Sequence, residues 1–267
     1  MNITAIILAL AVMAVLGVLF GVVLTIADKK FAVEVDPRAS AIRECLGGAN
    51  CGACGYAGCD AFAQAVVDGE APVNGCTPGG AKAAEAIAAI MGMSVDLSGT
   101  RSAARVICQG ECGVAKDRYL YDGYASCATV AGIAGGPKMC RFACIGLGDC
   151  VKACSFGAIE IVNGIAKIDE SKCTACGQCQ KACPRSVIEL KPVNETVIVS
   201  CRNTDSGREA RAACMKACIA CGRCTKECPS DAIHVEGGVA KINPEKCIRC
   251  GACAKVCPCK CIVDFLA

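Results

Sequence analysis

A long apolar segment opens the chain, and the apolar positions after it recur only in short runs. Residues 3–27 (ITAIILALAVMAVLGVLFGVVLTIA) carry no charged side chain and lie between Asn2 and Asp28. About 25 helical residues rise roughly 37 Å, which is enough to cross a hydrocarbon core of roughly 30 Å with some tilt. The pattern therefore predicts a single transmembrane anchor at residues 1–27.

A cleaved signal peptide is the alternative for this segment. The start lacks basic residues, the apolar run is too long, and no small-residue cleavage site follows it, so the anchor is favoured. Lys29, Lys30 and Arg38 follow the segment, whereas Met1 and Asn2 offer no basic side chain. By the positive-inside rule, we expect the rest of the chain to lie in the cytoplasm.

The next apolar positions predict short helices and one strand. Residues 28–44 form a charged connector in which Pro37 ends any continuing helix. Helices are expected at residues 60–67 and, from an alanine-rich amphipathic pattern, at 81–91. The segment 101–108 (RSAARVIC) predicts a strand.

Farther along, apolar and polar positions alternate on both sides of two turn dipeptides. Asn163-Gly164 lies within residues 158–169, and Gly237-Gly238 lies within 232–243. Both patterns predict β-hairpins. Residues 187–191 and 197–201 predict further short strands.

The composition leaves few side chains for a conventional core. The chain of 267 residues has 28 cysteines, six Phe, four Tyr and no Trp. Bound inorganic groups must then supply much of the packing and cross-linking, and we expect the metal-free protein to be largely unfolded. The net charge of +3 is too small to indicate nucleic-acid binding.

A cysteine motif recurs three times, first as CTACGQCQKACP at residues 173–184 and then at 218–229 and 247–258. Each copy has three cysteines at i, i+3 and i+6, a fourth cysteine four residues later, and a proline directly after it. This is the bacterial ferredoxin arrangement, in which three thiolates bind one [4Fe–4S] cluster and the fourth binds a second cluster.

Other uses of cysteine explain the motif less well. Disulfides are favoured in small secreted domains rather than in tight CxxC runs followed by glycine. Zinc also binds paired CxxC motifs, but it does not explain the third cysteine and the trailing Cys-Pro. The only histidine, His234, excludes Rieske and bis-histidine haem centres and is expected to be an ordinary strand residue.

Residues 45–100 carry a different cysteine spacing, CxxCx4Cx16C. Five glycines between residues 47 and 58 leave backbone amides free to point at sulfur. Four ligands with none left over predict one closed [4Fe–4S] site. Its ligands are Cys51, Cys54, Cys59 and Cys76.

The remainder of the chain repeats itself at an interval of 74 residues, so that Cys144 recurs as Cys218. The same interval maps Cys127 on Cys201 and Cys140 on Cys214. We therefore expect a linking segment at 101–140 and ferredoxin modules at 141–192 and 193–267. The predicted fold class is α+β, with one transmembrane helix, a small [4Fe–4S] domain and two tandem two-cluster modules.

Ligand exchange between motifs, as in two-cluster ferredoxins, gives three regular sets. They are Cys154, Cys173, Cys176 and Cys179; Cys218, Cys221, Cys224 and Cys257; and Cys228, Cys247, Cys250 and Cys253.

The other sites are irregular, because Leu147 stands where the motif needs a second cysteine beside Cys144, Cys150 and Cys183. Cys140 is the nearest substitute in sequence. A further set would combine Cys108, Cys112 and Cys127 with Cys201 or Cys214, unless Cys140 completes that set. Nine cysteines compete for eight places, and about six clusters are expected in total. The three remaining cysteines are expected to be free thiols: Cys45, Cys259 and Cys261.

The combination of an uncharged N-terminal span, GANCGACGYAGC with CTPGG, CIGLGDCVKAC and tandem ferredoxin motifs resembles the B subunit of the Rnf complex, in its long polyferredoxin-like form. Rnf is a membrane-bound ferredoxin:NAD+ oxidoreductase that moves Na+ or H+. The resemblance covers essentially the whole chain. Ser155, where proline would follow Cys154, and Leu147 depart from the ferredoxin motif.

The resemblance implies a subunit that accepts electrons from reduced ferredoxin and relays them to other membrane subunits. The residues agree, because neither a nucleotide fingerprint nor a catalytic triad is present. The alternatives are a membrane-anchored polyferredoxin of another reductase or hydrogenase, and a zinc-bearing scaffold. We expect electrons to run from the C-terminal module to the cluster near the membrane. Basic residues beside the C-terminal clusters could dock an acidic ferredoxin: Lys216, Arg223, Lys226, Lys246, Arg249 and Lys255.

Overall fold

A computed structural model describes residues 3–31, 36–95 and 100–265. Its first element is helix α1, Ile3–Phe31, whose described apolar side chains are largely exposed. In the described ranges it is the one helix long and apolar enough to cross a membrane. Residues 32–35 of the expected connector, 96–99 of the expected small domain and both chain ends lie outside the described residues.

Three helices form a small domain after the anchor: α2 (Pro37–Cys45), α3 (Cys59–Val67) and α4 (Gly80–Met91). The two helices predicted at 60–67 and 81–91 are confirmed. The connector differs from the expectation, because Pro37 begins a helix there. Proline is favoured in the first helical turn, and the Asp36 carboxylate caps that turn by accepting a hydrogen bond of 2.8 Å from the Arg38 amide.

The small domain has its own apolar core. Ile42 of α2, Phe62 of α3 and Ile87 of α4 are fully buried against one another. Residues 37–45 therefore belong to this domain rather than to a free linker.

Two units of the same topology follow. The first contains β1 (Ser102–Val106), α5 (Cys127–Ala131), α6 (Asp149–Lys152), β2 (Ile159–Val162), β3 (Ile165–Ile168), α7 (Gln178–Ala182) and β4 (Ile188–Pro192). The second contains β5 (Val197–Val199), α8 (Gly207–Ala213), α9 (Arg223–Lys226), β6 (Ile233–Glu236), β7 (Val239–Ile242), α10 (Ala252–Val256) and β8 (Ile262–Asp264). This mixture of short helices and strands agrees with the α+β prediction.

Each unit has one hairpin and one sheet that joins its ends. The predicted hairpins are confirmed as the antiparallel pairs β2–β3 and β6–β7. Strand β1 pairs with β4 and strand β5 pairs with β8, both antiparallel. The first unit therefore begins at β1, inside the segment that the sequence assigned to a linker.

The strand pairing corrects the upstream part of the repeat. Val106 lies opposite Ile188, and Val199 lies opposite the equivalent Ile262. Cys108 and Cys201 each follow two residues after these valines, so Cys108 is the structural equivalent of Cys201. The expected match of Cys127 with Cys201 is wrong, because the first unit has a longer excursion between its strand and Cys140.

Cysteines, isoleucines, valines and alanines fill the cores of both units. Neither core contains an aromatic side chain among the described residues. Buried cysteines such as Cys150 and Cys224 form part of these cores.

Candidate metal centres

Three of the four predicted ligands of the small domain, Cys54, Cys59 and Cys76, pack against its core. Cys59 begins α3, and Asn50 fixes that helix start because its side-chain oxygen accepts a hydrogen bond of 2.8 Å from the Cys59 amide. Burial raises the pKa of Cys76, and the nearby thiols of Cys59 and Cys51 raise it further. A side chain at Gly79 would come within 3.1 Å of the Cys76 sulfur, so this position needs a glycine.

Two cavities in the second unit are lined by cysteines of the regular motifs. One contains Cys218, Cys221, Cys224 and Cys257, and the other contains Cys228, Cys247, Cys250 and Cys253. These are the two sets that the motif predicts. A third regular set, Cys154, Cys173, Cys176 and Cys179, lines a cavity in the first unit.

The fourth cavity decides between the candidates for the irregular site. Cys144, Cys150 and Cys183 line it together with Cys127. Cys140 does not line it. The expectation that Cys140 completes this set is therefore wrong.

Local structure explains why Cys127 reaches that cavity. Cys127 begins α5, and the Asp149 carboxylate at the start of α6 accepts hydrogen bonds from the Ala128 amide at 2.9 Å and the Ser126 hydroxyl at 3.1 Å. These bonds hold α5 against α6, which carries Cys150. Leu147, which stands in place of a motif cysteine, packs against the small core that contains Cys127.

The remaining cysteines of this region separate into a buried group and one exposed residue. Cys140 and Cys214 are buried in one small core, with Cys108 and Cys201 packed against it. Cys112 is exposed. The set of Cys108, Cys112 and Cys127 that the sequence favoured is not brought together, because Cys127 lies in the cavity of the neighbouring site.

The backbone around the regular motifs is shaped to receive an anion. Ala175, Ala220 and Arg249 hold the same motif position and have positive φ angles of 56°, 54° and 60°. Backbone in such a conformation turns successive N–H groups toward one point, as in known iron–sulfur sites. Cys173 illustrates the result, since its sulfur accepts hydrogen bonds from the amides of Ala104 at 3.3 Å and Ala175 at 3.4 Å.

The thiols fit a multi-iron cluster better than a single ion. Burial raises the pKa of Cys150 to about 12 and that of Cys253 to about 11, so these thiolates need a bound cation to compensate their charge. In the part of the chain that the structure describes, no three His, Cys, Asp or Glu side chains converge closely enough to hold one metal ion. Four thiols facing a shared cavity suit a larger group.

Two of the three cysteines expected to be free lie beside a cluster site. Cys259 and Cys261 line the cavity of Cys218 and Cys257, and both are buried. The sulfurs of Cys261 and Cys257 are 3.5 Å apart. Their hydrogen bond lowers the pKa of Cys257 to about 5. Comparing the two repeats could have singled out Cys261 as a cysteine outside the regular motifs, because the equivalent residue of the first unit is Val187.

Cys45, the third, is held by its own helix. Its thiol donates a hydrogen bond of 3.3 Å to the Ala41 carbonyl. His234 lies in β6 as expected, with its Nε2 3.1 Å from the Asp231 carbonyl.

The surface of the second unit brings sulfur close to solvent. Cys221 and Cys250 are exposed, and Ile248, beside Cys250, is 64% exposed. Basic residues lie close to these cysteines in the sequence. The exposed ones are Arg223, Lys226, Lys246, Arg249 and Lys255, and Lys216 is half-buried.

Comparisons with known proteins agree with this arrangement of cysteines. A family model for a putative Fe-S cluster matches residues 46–78. Three models described as 4Fe-4S dicluster domains match residues 143–187, 172–233 and 212–258.

Similar proteins cover most of the chain. It is 46% identical to the B subunit of the Na(+)-translocating ferredoxin:NAD(+) oxidoreductase complex of Acetobacterium woodii, over 91% of this chain and 73% of that protein. It is 45% identical to the proton-translocating counterpart of Clostridium ljungdahlii, over 89% of this chain and 84% of the relative. The B subunit of the ion-translocating oxidoreductase complex of Methanosarcina acetivorans is 41% identical, over 89% and 90% of the two chains.

Proposed function

Since the chain belongs to the family of B subunits of ion-translocating oxidoreductase complexes, we infer that it is the electron-transfer subunit of a membrane-bound ferredoxin:NAD+ oxidoreductase. The single observation that carries this inference is the match of at least 41% identity over about nine-tenths of the chain. The complex is both an oxidoreductase and a translocase. This chain serves it by holding [4Fe–4S] clusters, and the other subunits of the complex are its partners.

Five ligand sets carry this function. One lies in the small domain: Cys51, Cys54, Cys59 and Cys76. Two lie in the first unit, where Cys127, Cys144, Cys150 and Cys183 form one set, and Cys154, Cys173, Cys176 and Cys179 form the other. Two lie in the second unit: Cys218, Cys221, Cys224 and Cys257, and Cys228, Cys247, Cys250 and Cys253. Clusters bound there would accept and donate single electrons.

Each repeated unit then acts as a two-cluster ferredoxin module. The hairpin and the short helices hold the first three thiols of each regular motif, and the fourth cysteine supplies a ligand to the other site. In the irregular motif of the first unit, Cys127 takes the place of the thiol that Leu147 lacks. Six clusters in all follow when the shared site described below is included.

The C-terminal unit is the entrance for electrons. Exposed Cys221 and Cys250 bring two ligand sets to the surface there, and Ile248 provides an apolar contact beside them. The basic side chains around them favour a negatively charged partner, because charge complementarity speeds encounter. Reduced ferredoxin, an acidic protein in this class of reaction, suits this face.

A charge-reversal variant tests that entrance in the intact complex. Replacing Lys246, Arg249 and Lys255 by glutamate should slow ferredoxin-dependent reduction at low salt, and added salt should diminish the difference. The same change at the exposed Lys82 of α4, in the small domain, provides the control. Equal reduction rates for the triple variant and the control at low salt would contradict the proposed docking face.

The first helix anchors the chain in the membrane, with the cluster-bearing part in the cytoplasm. The described apolar side chains of α1 face outward and are available to lipid. Lys29, Lys30 and Arg38 favour retention on the cytoplasmic side. Protease treatment of right-side-out and inverted vesicles tests this, since the cluster domains should be cleaved only in inverted vesicles.

The function as a whole is tested by purifying the membrane complex under anaerobic conditions. The preparation should contain this chain, reduce NAD+ with reduced ferredoxin and move Na+ or H+. A complex with this chain that transfers electrons from ferredoxin only to protons would support a hydrogenase partner instead.

A further inference from the structure

We propose that Cys108, Cys140, Cys201 and Cys214 hold one further [4Fe–4S] cluster, shared between the two repeated units. The proposal rests on the cluster-binding function inferred above and adds a sixth ligand set to the five already described. Each unit contributes two thiols. Cys108 and Cys201 are structural equivalents after β1 and β5, and Cys140 and Cys214 are equivalents in the repeat.

Backbone pairing holds the two units together at this point. Ala115 forms an antiparallel bridge with Cys214. The Lys116 amide donates to the Ala213 carbonyl at 2.9 Å, and the Met215 amide donates to the Val114 carbonyl at 3.0 Å. The long segment between β1 and Cys140 in the first unit therefore pairs with the second unit and holds Cys214 beside the first unit.

The four cysteines share one small core, in which Cys140 and Cys214 are buried and against which Cys108 and Cys201 pack. Burial raises the pKa of Cys140, and the Cys108 thiol raises it further. Burial likewise raises the pKa of Cys214, to which the thiols of both Cys108 and Cys140 contribute. The pKa of Cys201 is raised to about 11, chiefly by burial, and Cys140 is among the nearby thiols that add to this effect.

The surrounding side chains are small, and the sulfurs already accept hydrogen bonds. Alanines supply most of the buried lining: Ala115, Ala143, Ala210, Ala213 and Ala217. Asn203, which is only 1% exposed, donates from its side-chain nitrogen to the Cys140 sulfur at 3.4 Å. A fully buried amide that donates to sulfur is typical of the environment of a cluster ligand, because such bonds stabilise the thiolate.

Two further hydrogen bonds connect this set with its neighbours. The Cys144 amide donates to the Cys108 sulfur at 3.4 Å, and the Cys218 amide donates to the Cys201 sulfur at 3.3 Å. Cys144 and Cys218 belong to ligand sets of the first and second unit. The shared site therefore lies between them and provides the electron path from one unit to the other.

A buried cation balances the charge of the site. Lys138 is 7% exposed and its ammonium donates to the Gly110 carbonyl at 2.6 Å and the Gly164 carbonyl at 3.0 Å. It lies close enough to Cys144 and Cys214 to lower the pKa of both against the larger effect of burial. A buried ammonium is costly unless negative charge lies nearby, and a thiolate-bound cluster supplies that charge.

Cys112 is excluded from the set although the sequence favoured it. Its side chain is exposed, and its amide is bound to the Asn163 carbonyl at 2.8 Å in the hairpin turn. Among the nine cysteines that compete for eight places, it is the one left over.

The experiment counts iron and acid-labile sulfide in the full-length chain, purified anaerobically. Cys140→Ala and Cys214→Ala should each lose about four iron atoms, whereas the matched control Cys112→Ala should lose none. The double variant Cys108→Ala/Cys201→Ala should also lose about four. A loss of about eight in the double variant, or loss of a cluster in the Cys112 variant alone, would overturn the shared site.

A conservative variant covers the case in which an alanine variant fails to fold. Asn203→Leu keeps all four thiols and should shift the electron paramagnetic resonance signal or the midpoint potential of one cluster, with full iron content. An unchanged set of potentials would count against the site. Ferredoxin-dependent NAD+ reduction by the unaltered complex tests the proposed function separately, because it does not depend on which cysteines form the sixth set.

Discussion

Gln178 donates a hydrogen bond from its side-chain amide to the backbone carbonyl of Cys51. Gln178 begins α7, which also carries Cys179, and Cys51 is the first ligand in the small domain. This bond places the cluster site nearest the anchor against a cluster site of the first unit. It gives the proposed electron route a contact at its membrane end.

Replacing Gln178 by leucine should loosen that contact without removing a ligand. A net hydrogen bond contributes about 0.5–1.5 kcal/mol, which corresponds to a roughly 2- to 10-fold change in the docked population. Hydrogen exchange of the amides around residues 50–55 should become faster by about that factor. Gln180→Leu, on the exposed face of the same helix, is the control and should leave exchange unchanged.

Cys127→Ala should remove a cluster from the first unit, and Leu147→Cys in the same chain should restore it. Leu147 occupies the usual ligand position and packs against the small cluster that contains Cys127, so we expect a thiol there to replace the lost ligand. Iron analysis should show a loss of about four atoms in the single variant and recovery in the double variant. Cys45→Ala should retain all iron. Full iron content in Cys127→Ala would reject Cys127 as a ligand.

Cys261→Val should lower the midpoint potential of one cluster in the second unit. The Cys261 thiol donates toward Cys257, 3.5 Å away, and such bonds favour the more negative, reduced cluster. A hydrogen bond to a charged group contributes about 1.5–3 kcal/mol, and only its difference between redox states counts, so we expect a shift of some tens of mV.

The repeat provides the reciprocal variant. Val187→Cys, at the equivalent position of the first unit, should raise the potential of the cluster held by Cys183. Redox titration followed by electron paramagnetic resonance measures both shifts. Unaltered potentials in both variants would show that Cys261 only fills space.

Removing iron with a chelator should unfold both repeated units. Their cores consist largely of cysteines and small aliphatic residues, and the sites that join their segments are metal sites. Circular dichroism in detergent should lose the strand signal, whereas the helical signal of α1 should persist. Retention of the strand signal after complete iron removal would contradict this prediction.

Gly146→Ala should destabilise the first unit. Gly146 has a φ of 84°, and an added methyl group would collide with the Gly164 carbonyl in the hairpin turn. The cost should exceed about 1 kcal/mol, seen as faster cluster loss on mild heating. Gly157→Ala has a φ of 60° and meets no atom within 4 Å, so it carries the backbone strain without the collision and should retain its clusters longer.

The sequence by itself determined the two hairpins and the helices at 60–67 and 81–91, and it predicted the anchor and the three regular ligand sets. These features depend on spacing over a few residues: an uncharged run of bilayer length, a turn dipeptide between alternating residues, and thiols three residues apart. It also indicated that the chain depends on clusters, because 28 cysteines and no Trp leave few large side chains for a conventional core.

Only the tertiary structure decided the partners of the irregular cysteines. Cys127 reaches its cavity because Asp149 holds α5 against α6, and Cys108 is the equivalent of Cys201 because β1 pairs with β4. Cys214 reaches Cys108 and Cys140 through strand pairing between the units. Contacts of this kind join residues that are distant along the chain. The spacing of cysteines in the sequence does not determine how such separate segments pack.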